Sequence, residues 1–579
     1  MRVYGDHWRT VRPQERLSDL ARLLEQSEPG HDRRDRLTQA LIWAGELAQG
    51  LADAEMQAAG ADLPTARQAA AMALCTAIAR RLVCGEGSAC AELAALKAQA
   101  LPPLLRCKLA EGYAFYAVLP EAYAAAARAH AWPAPPLAIG LRTIGLSLAA
   151  VVAAVTGGRA ISVRPGGRPF DRRISAAAPL IAELREHEGP FAIVDEGPGL
   201  SGSSFGAAAD LLEDLGVAPE RIVFMPSHPG PPGPQGSRRH RARWASSVRA
   251  HRTLDDLLAA EPISGWFADL TGEVTLAEDL SGGQWRRDLP ASDWPPVSAR
   301  QERRKFRLTT AKGVFLARFA GLGEVGEEKL RRAQALARAG YTPEPLVLRR
   351  GFLLERWQAG APVTRSAGRR AVTSALPRYL AFRARELPAA AGGASPERLC
   401  RMATHNAAEL CGEETARRLG DRLEASFDAV RGLRPVWIDG RLHAWEWRLA
   451  PDGRLWKTDG LDHAEGHDLI GPQDIAWDVG GAGVEYGLSP ADTTRLARSV
   501  AVRAGIPVEA EAAAGFAICY AAFQGGLWSL AESQSDATEA ARIRRHRRRY
   551  ADYLRAAVGR RDRPSHPRDE RLAGGDAHA

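Results

Sequence analysis

FAIVDEGPGLSGSSFGAAADLL, residues 191–212, sets two acids, Asp195 and Glu196, between four apolar residues and a loop of Gly, Pro and Ser. Such a run predicts a buried strand, a bend, and a helix starting near Ser203. The backbone N–H groups of the bend, the hydroxyls of Ser201, Ser203 and Ser204, and the positive helix end all favour a phosphate. Carboxylates just beyond the strand's carboxyl end can accept hydrogen bonds from two neighbouring ribose hydroxyls. Adjacent strand residues point to opposite faces, so the pair can serve one ligand only where the strand ends. The combination predicts a sugar-phosphate site.

A second concentration of reactive side chains lies in WIDGRLHAWEWRLAPDGRLWKTDGLDHAEGHDLIGPQDIAWDVGGA, 437–482. WEWRL and RLWKTD flank a Pro-Asp-Gly turn and end at Asp459-Gly460, and PQDIAWDVGGA starts a helix. His443, Asp462, His463, His467 and Asp468 crowd the same region. A transition-metal site is one reading of this group, but spacings of this kind are a weak signal, and polar side chains around an acid-rich turn more often satisfy one another, which is the expectation here. Trp437, Trp445, Trp447, Trp456 and Trp477 are expected to form core beneath that turn.

Residues from about 106 to 260 resemble the type I phosphoribosyltransferases, whose fingerprint is four apolar residues, two acids and a short Thr/Gly/Ser loop. The resemblance implies that Asp195 and Glu196 hold the ribose 2- and 3-hydroxyls. It implies that Gly199, Ser201, Gly202, Ser203 and Ser204 cradle the 5-phosphate of phosphoribosyl diphosphate (PRPP). PLAIGLRTIGLSLAAVVAA (136–154) sits where the family holds the diphosphate, which assigns Gly140, Arg142, Thr143 and Gly145 to that loop. Arg142 and the loop amides would stabilise the leaving diphosphate. Arg164 and Arg168, in SVRPGGRPFDRR (162–173), correspond to a mobile arm that covers it. The loop GPGLSGSS departs from the family in being longer, and no Lys or Arg follows the acids.

Residues from about 300 to 557 resemble the aminoglycoside-phosphotransferase-like kinases, in which a catalytic loop, a hairpin, a metal-binding Asp and an Asp-x-x-x-Asp segment follow in order. GVFLARF matches the strand carrying a phosphate-contacting cation, EVGEEKLRRAQALARAG the helix bearing its acidic partner, and FLLERWQAGAPV the hinge. The resemblance implies nucleotide binding by Arg318 with Glu328 as its partner, Mg²⁺ at Asp459 and Glu446, and Asp474 and Asp478 bracing the catalytic loop. The catalytic position itself reads Arg441, whose guanidinium stays protonated and cannot act as a base. Asp439 and His443 are the candidates to replace it. No glycine-rich nucleotide loop precedes Arg318.

Positioning these groups requires strands alternating with helices in the first region. PLAIGL, RAISVR, FAIVDE and RIVFMP are short apolar runs, with SLAAVVAAV and SSFGAAADLLEDLGV as helices between them. That order predicts a parallel α/β sheet. In the second region KFRLTT with GVFLARF, and PLVLRR with GFLLERW, predict two hairpins, followed by helices. The expected fold class is therefore α/β and α+β multidomain. It divides into a helical N-terminal region (1–105), a phosphoribosyltransferase-like domain (106–265), a linker (266–299), a bilobal kinase-like domain (300–557) and a disordered tail (558–579). HPGPPGPQGSRRHRARW (228–244) is expected as a surface excursion.

The chain of 579 residues is 45% apolar, with mean hydropathy −0.25, and has no apolar run long enough to span a bilayer. Its start lacks the apolar segment of a signal peptide. Seven cysteines, an odd number without a CxxC pair, point to reduced thiols and a cytoplasmic location. The net charge is +8 with a pI near 9.2, and the densest basic run is ARIRRHRRRY (541–550). No reading motif accompanies it, so a solvated helix is preferred over a nucleic-acid surface.

The expected function is a cytoplasmic bifunctional transferase with a PRPP-dependent site and a nucleotide-binding kinase-like lobe. PRPP and ATP are its candidate substrates and Mg²⁺ its candidate cofactor. The alternative is a non-catalytic regulator that senses nucleotide or PRPP through degenerate forms of both folds. Partners are expected to be small molecules, a nucleotide or a sugar phosphate, without membrane or nucleic acid.

Overall fold

Four-residue apolar runs such as Phe191–Val194 suit a strand buried on both faces, as strands of a parallel sheet are, and that is where they lie. The computed structural model describes residues 7–25, 31–299, 301–363, 368–428, 432–466 and 470–559. The chain forms two compact units, one of residues 4–375 with 439–472, the other of 376–438 with 473–579. The expected tail lies outside the described residues from 560 onward. Among the described residues no helix is long and apolar enough to cross a membrane.

The first unit begins with a two-stranded antiparallel pair, Trp8–Val11 with Leu105–Lys108, enclosing the expected N-terminal helices. The longest of these is α1 (His31–Ala59). Then follow β1 (Leu137–Leu141), α2 (Ile144–Thr156), β2 (Arg159–Val163), β3 (Phe191–Val194), α3 (Ser203–Asp214), β4 (Ile222–Met225) and a short β5 (Val248–Arg249). All five strands are parallel, in the order β2-β1-β3-β4-β5. Each predicted strand is present; β5, two residues long, carries no apolar run that sequence could reveal.

The second sheet of this unit is antiparallel and runs β6 (Val274–Asp279), β7 (Lys305–Thr310), β8 (Gly313–Phe319), β10 (Phe352–Arg356), β9 (Pro345–Arg349). Helix α4 (Gly323–Arg338) connects β8 to β9. Both predicted hairpins form. The stretch 266–299, expected as a linker, instead contributes β6, a mostly exposed edge strand without a continuous apolar run. Strands β11 (Trp447–Leu449) and β12 (Leu455–Lys457) pair across the Pro-Asp-Gly turn, with Arg448 opposite Trp456. Residues 228–244 are mostly exposed, as expected of a surface excursion, but they are anchored: Trp244 is buried against Phe205 and Phe224, and Gly233 and Gln235 donate to the carbonyls of Gly199 and Leu200.

The second unit is helical. The GGAG run inside α5 (Ala476–Tyr486) lets it approach α6 (Ala510–Ser533) at backbone contact. A Cβ on Gly480 would lie 2.5 Å from the Ala513 carbonyl oxygen, and one on Gly481 2.8 Å from the Tyr520 ring. Buried Glu485 accepts from the hydroxyls of Tyr520 (3.0 Å) and Tyr550 (2.8 Å) and pairs with Arg549. Arg544 and Arg547 of the basic run pair with Glu532, and Arg542 with Glu539, so much of that helix's charge is balanced within the unit.

Glycine is required where α2 crosses the sheet. A Cβ on Gly145 would lie 2.2 Å from the Val194 carbonyl oxygen, and one on Gly140 2.4 Å from that of Gly145. Gly145→Ala is therefore expected to cost at least about 2 kcal/mol, measured by denaturant unfolding. Ala at the exposed Gly166, where no atom lies within 4 Å, should change stability little.

Candidate functional sites

The strand order reverses between β1 and β3. At such a switch point the helices leave on opposite faces, and a crevice opens beyond the carboxyl ends of the two strands. Both loops singled out in the sequence sit there: Arg142-Thr143 after β1 and Asp195–Gly202 after β3. Asp195 lies just past the last paired residue, as the ligand argument required. Burial pushes its carboxyl up to about 7, against the lowering effect of the Glu196 N–H and of Arg172, Arg164 and Lys108. No salt bridge reaches Asp195 among the described residues. The Tyr123 hydroxyl donates to its main-chain oxygen at 2.8 Å. The Glu196 main-chain oxygen accepts from the Ser227 N–H at 2.8 Å.

The bend is partly self-satisfied. Gly202 N–H donates to the Pro198 oxygen (2.7 Å), Ser203 N–H to Ser201 Oγ (3.2 Å), and Ser201 Oγ to Ser203 Oγ (2.9 Å). Ser201 and Ser203 are buried, Ser204 is half-buried on the first turn of α3, and Gly199 is exposed. Two N–H groups expected to face a phosphate are thus held inside the loop.

The diphosphate assignments need correction. Arg142, fully buried, pairs with Asp62 and, at 3.2 Å, with Asp53 of α1. Arg164 donates from Nε to Asp53 at 2.9 Å, from its main-chain N–H to Asp62 at 2.7 Å, and to the Arg142 carbonyl oxygen at 2.9 Å. Two arginines expected to hold a ligand anion instead anchor the N-terminal helices to the sheet. Gly140 and Gly145 are packing residues, as shown above. Thr143 precedes α2 without a side-chain cap bond, and Arg168 stands exposed on the hairpin Gly166–Arg168 with Asp171–Arg173.

The second centre gathers charges from β8, β10, α4, β12 and the segment 439–465. Arg318 on β8 lies 3.4 Å from Glu355 of β10 and 3.2 Å from Asp462. Glu328 is not its partner: it pairs with Arg331 and lies 3.9 Å from Arg332 on its own helix. The next residue, Lys329, is fully buried and reaches Asp462 (2.5 Å) and Glu465 (3.1 Å). Lys329 belongs to the buried stripe Gly326, Lys329, Ala333, Leu336, so a lysine at a core position was the available signal. Burial would raise the Asp462 carboxyl, but Lys329, Arg303 and Arg318 outweigh it and hold it down to about 2.

Beside this lies a cluster of Asp439, Glu446, Asp459, His463 and Lys457. The buried Lys457 ammonium is 3.2 Å from Asp439 and 2.7 Å from Glu446. His463 Nε2 lies 3.3 Å from Asp459 Oδ2 and 3.6 Å from Glu446 Oε1, while Nδ1 is 3.8 Å from Asp439. Burial disfavours the imidazolium, but Glu446 and Asp459 prevail and raise His463 to about 9. His443 is buried, with Nδ1 3.6 Å from Glu446 and its ring 4.2 Å from that of Trp445. The Asp459 side chain remains 37% exposed, and its Oδ1, buried, has no hydrogen-bond partner. Trp447 and Trp477 are fully buried, while Trp437, Trp445 and Trp456 are half-buried. Asp474 accepts from the N–H groups of Arg434 and Ala476, both at 2.9 Å. Asp478 is fully buried. His467 and Asp468 lie outside the described residues.

Mg²⁺ prefers oxygen ligands in near-octahedral array and retains several waters. Here Glu446 is already held by an ammonium and faced by an imidazole, and Asp459 Oδ2 faces the same imidazole. The residues present do not fit a Mg²⁺ ion held between Glu446 and Asp459.

No family model and no curated protein sequence matches the chain. Solved structures similar to it include choline kinase LicA from Streptococcus pneumoniae, at 12% identity and TM-score 0.36, covering 52% of this chain and 99% of that one. A choline/ethanolamine kinase family protein from Mesorhizobium loti is 16% identical, with TM-score 0.33, over 52% of this chain and 99% of its own. A thermostable mutant of aminoglycoside phosphotransferase APH(4)-Ia is 15% identical, with TM-score 0.31, over 52% and 100%. These matches are to kinase-like structures over about half the chain.

Two outcomes test the first centre. Asp62→Ala leaves Arg142 buried beside one carboxylate and is expected to cost about 3–5 kcal/mol in denaturant unfolding. Because Asp195 is raised above its unfolded value, its contribution to stability is complete below about pH 4 and lost as pH rises through 7. The fall in Tm between pH 4 and 8 should therefore be smaller in Asp195→Asn than in the wild type.

Proposed function

We propose that this chain binds phosphorylated small molecules in a kinase-like centre and acts as a sensor of a nucleotide rather than as a phosphoryl-transfer catalyst. One observation carries the reading: the groups that would act on a substrate are paired with one another. Asp439 is 3.2 Å from the Lys457 ammonium, and His443 is buried facing Glu446, while the kinase resemblance puts Arg441 at the position of the base. A general base must be open to the proton it removes, and neither candidate is. Binding is better served. Arg318, paired with Glu355 and Asp462, holds those acids in place on the central strand, and Asp459 offers a partly exposed acceptor for a ligand hydroxyl or amine.

A second reading, that the parallel sheet carries a sugar-phosphate site, is favoured by the switch-point position of Asp195, Glu196 and the Ser201–Ser204 bend. Loss of Arg142 and Arg164 to Asp53 and Asp62 favours holding a sugar phosphate over expelling a diphosphate from it.

Thermal shift with ATP and with PRPP, read beside phosphate and diphosphate release, separates these possibilities. The expected result is stabilisation without release of either product. Arg318→Lys, which keeps the charge but loses the planar fork, should weaken ATP binding about tenfold. Asp195→Asn should remove the response to PRPP and leave that to ATP. Product release with any acceptor pool would establish catalysis and overturn the sensor reading.

A further inference from the structure

Lys457 enters the kinase-like centre from β12 with its side chain fully buried. Its ammonium faces Asp439 Oδ1 at 3.2 Å, Glu446 Oε2 at 2.7 Å and the Arg441 carbonyl oxygen at 3.5 Å, and it donates to the main-chain oxygen of Asp459. The shell therefore holds oxygens from four residues, two of them carboxylates. Oxygen cages of this composition are what proteins offer to hard divalent cations. Asp439, Glu446 and His463 also place one donor atom each within 4.8 Å of one another, the spacing of a shared ion.

The cage already has its cation, and that cation is tethered. The Lys457 main-chain N–H donates to the Tyr341 oxygen at 2.8 Å, and Lys457 stands opposite Trp447 in the β11–β12 ladder. Thr458 fastens the other wall, donating from N–H (2.9 Å) and hydroxyl (3.0 Å) to the Glu446 carbonyl oxygen. Hairpin register thus fixes both the ammonium and the carboxylate it meets. A divalent ion entering between Asp439 and Glu446 would sit within a few ångström of a positive charge, with little water to screen the repulsion.

We infer that Lys457 is the resident cation of this centre: the centre takes no divalent metal, and ligand binding there needs none. The second clause rests on the nucleotide reading above, whereas the first does not.

Titration of the metal-free full-length chain with Mn²⁺, followed by electron paramagnetic resonance, tests the first clause directly. No ion bound more tightly than roughly 1 mM is expected. A Mn²⁺ ion held at about 10 µM or below, and released by Glu446→Gln, overturns the inference. Lys457→Met uncovers the carboxylates and should acquire a Mn²⁺-dependent rise in Tm that the wild type lacks; an equal rise in both proteins overturns it. If that variant does not fold, the wild-type titration decides the question unaided. ATP affinity should agree within about threefold in EDTA and in Mg²⁺, and a loss of about tenfold or more in EDTA overturns the second clause. Absence of ATP binding under both conditions would remove the nucleotide reading, while the Mn²⁺ titration still decides the role of Lys457.

Discussion

A charge taken out of water must find its opposite nearby, and both centres of the larger unit are organised by that requirement. Desolvating a carboxylate or guanidinium costs several kcal/mol, and the cost is recovered only by close pairing with further hydrogen bonds. Around Arg142 the pairing comes from Asp53 and Asp62, which belong to the N-terminal helical region. Around Asp462 it comes from Arg318 on a strand and Lys329 on a helix. In each place the neutralising partner lies far away in sequence. These pairs therefore fix tertiary arrangement as well as charge.

The same pairing governs the chemistry left to each centre. An arginine clamped by two aspartates cannot also follow a departing diphosphate, and a carboxylate facing an ammonium is a poor base. What stays open is sparse and specific. Asp195 is desolvated without a salt bridge among the described residues, and Asp459 keeps an exposed edge and an unsatisfied oxygen. Single acceptors of this kind suit recognition of hydroxyl and amine donors.

Close backbone packing supplies the rigidity that such pairing needs. Gly140 and Gly145 bring α2 within contact of β1 and β3, which leaves little freedom to the loops at the switch point. In the helical unit, Gly480 and Gly481 do the same for α5 against α6. The glycines at the switch point had a plausible reading as ligand-approach residues. Sequence could not separate that from packing, because both uses demand the absence of a Cβ.

Periodicity was legible because it depends on local burial alone. The four apolar runs of the parallel sheet, the two hairpins and the strand-ending acids all lie where the residues themselves required. The short β5 and the edge strand β6 escaped, since an exposed or two-residue strand has no apolar pattern to display. The choice of charge partners was hardly legible: the apolar stripe of α4 pointed Lys329 rather than Glu328 inward, but nothing local said that Asp462 and Glu465 would meet it. The amino-acid sequence by itself determined which segments become strands and which side chains carry charge. Only the tertiary structure decided which charges meet, because pairing depends on distances between segments that lie 80 to 144 residues apart around Arg142 and Asp462, and water screens every pair that folding does not enclose.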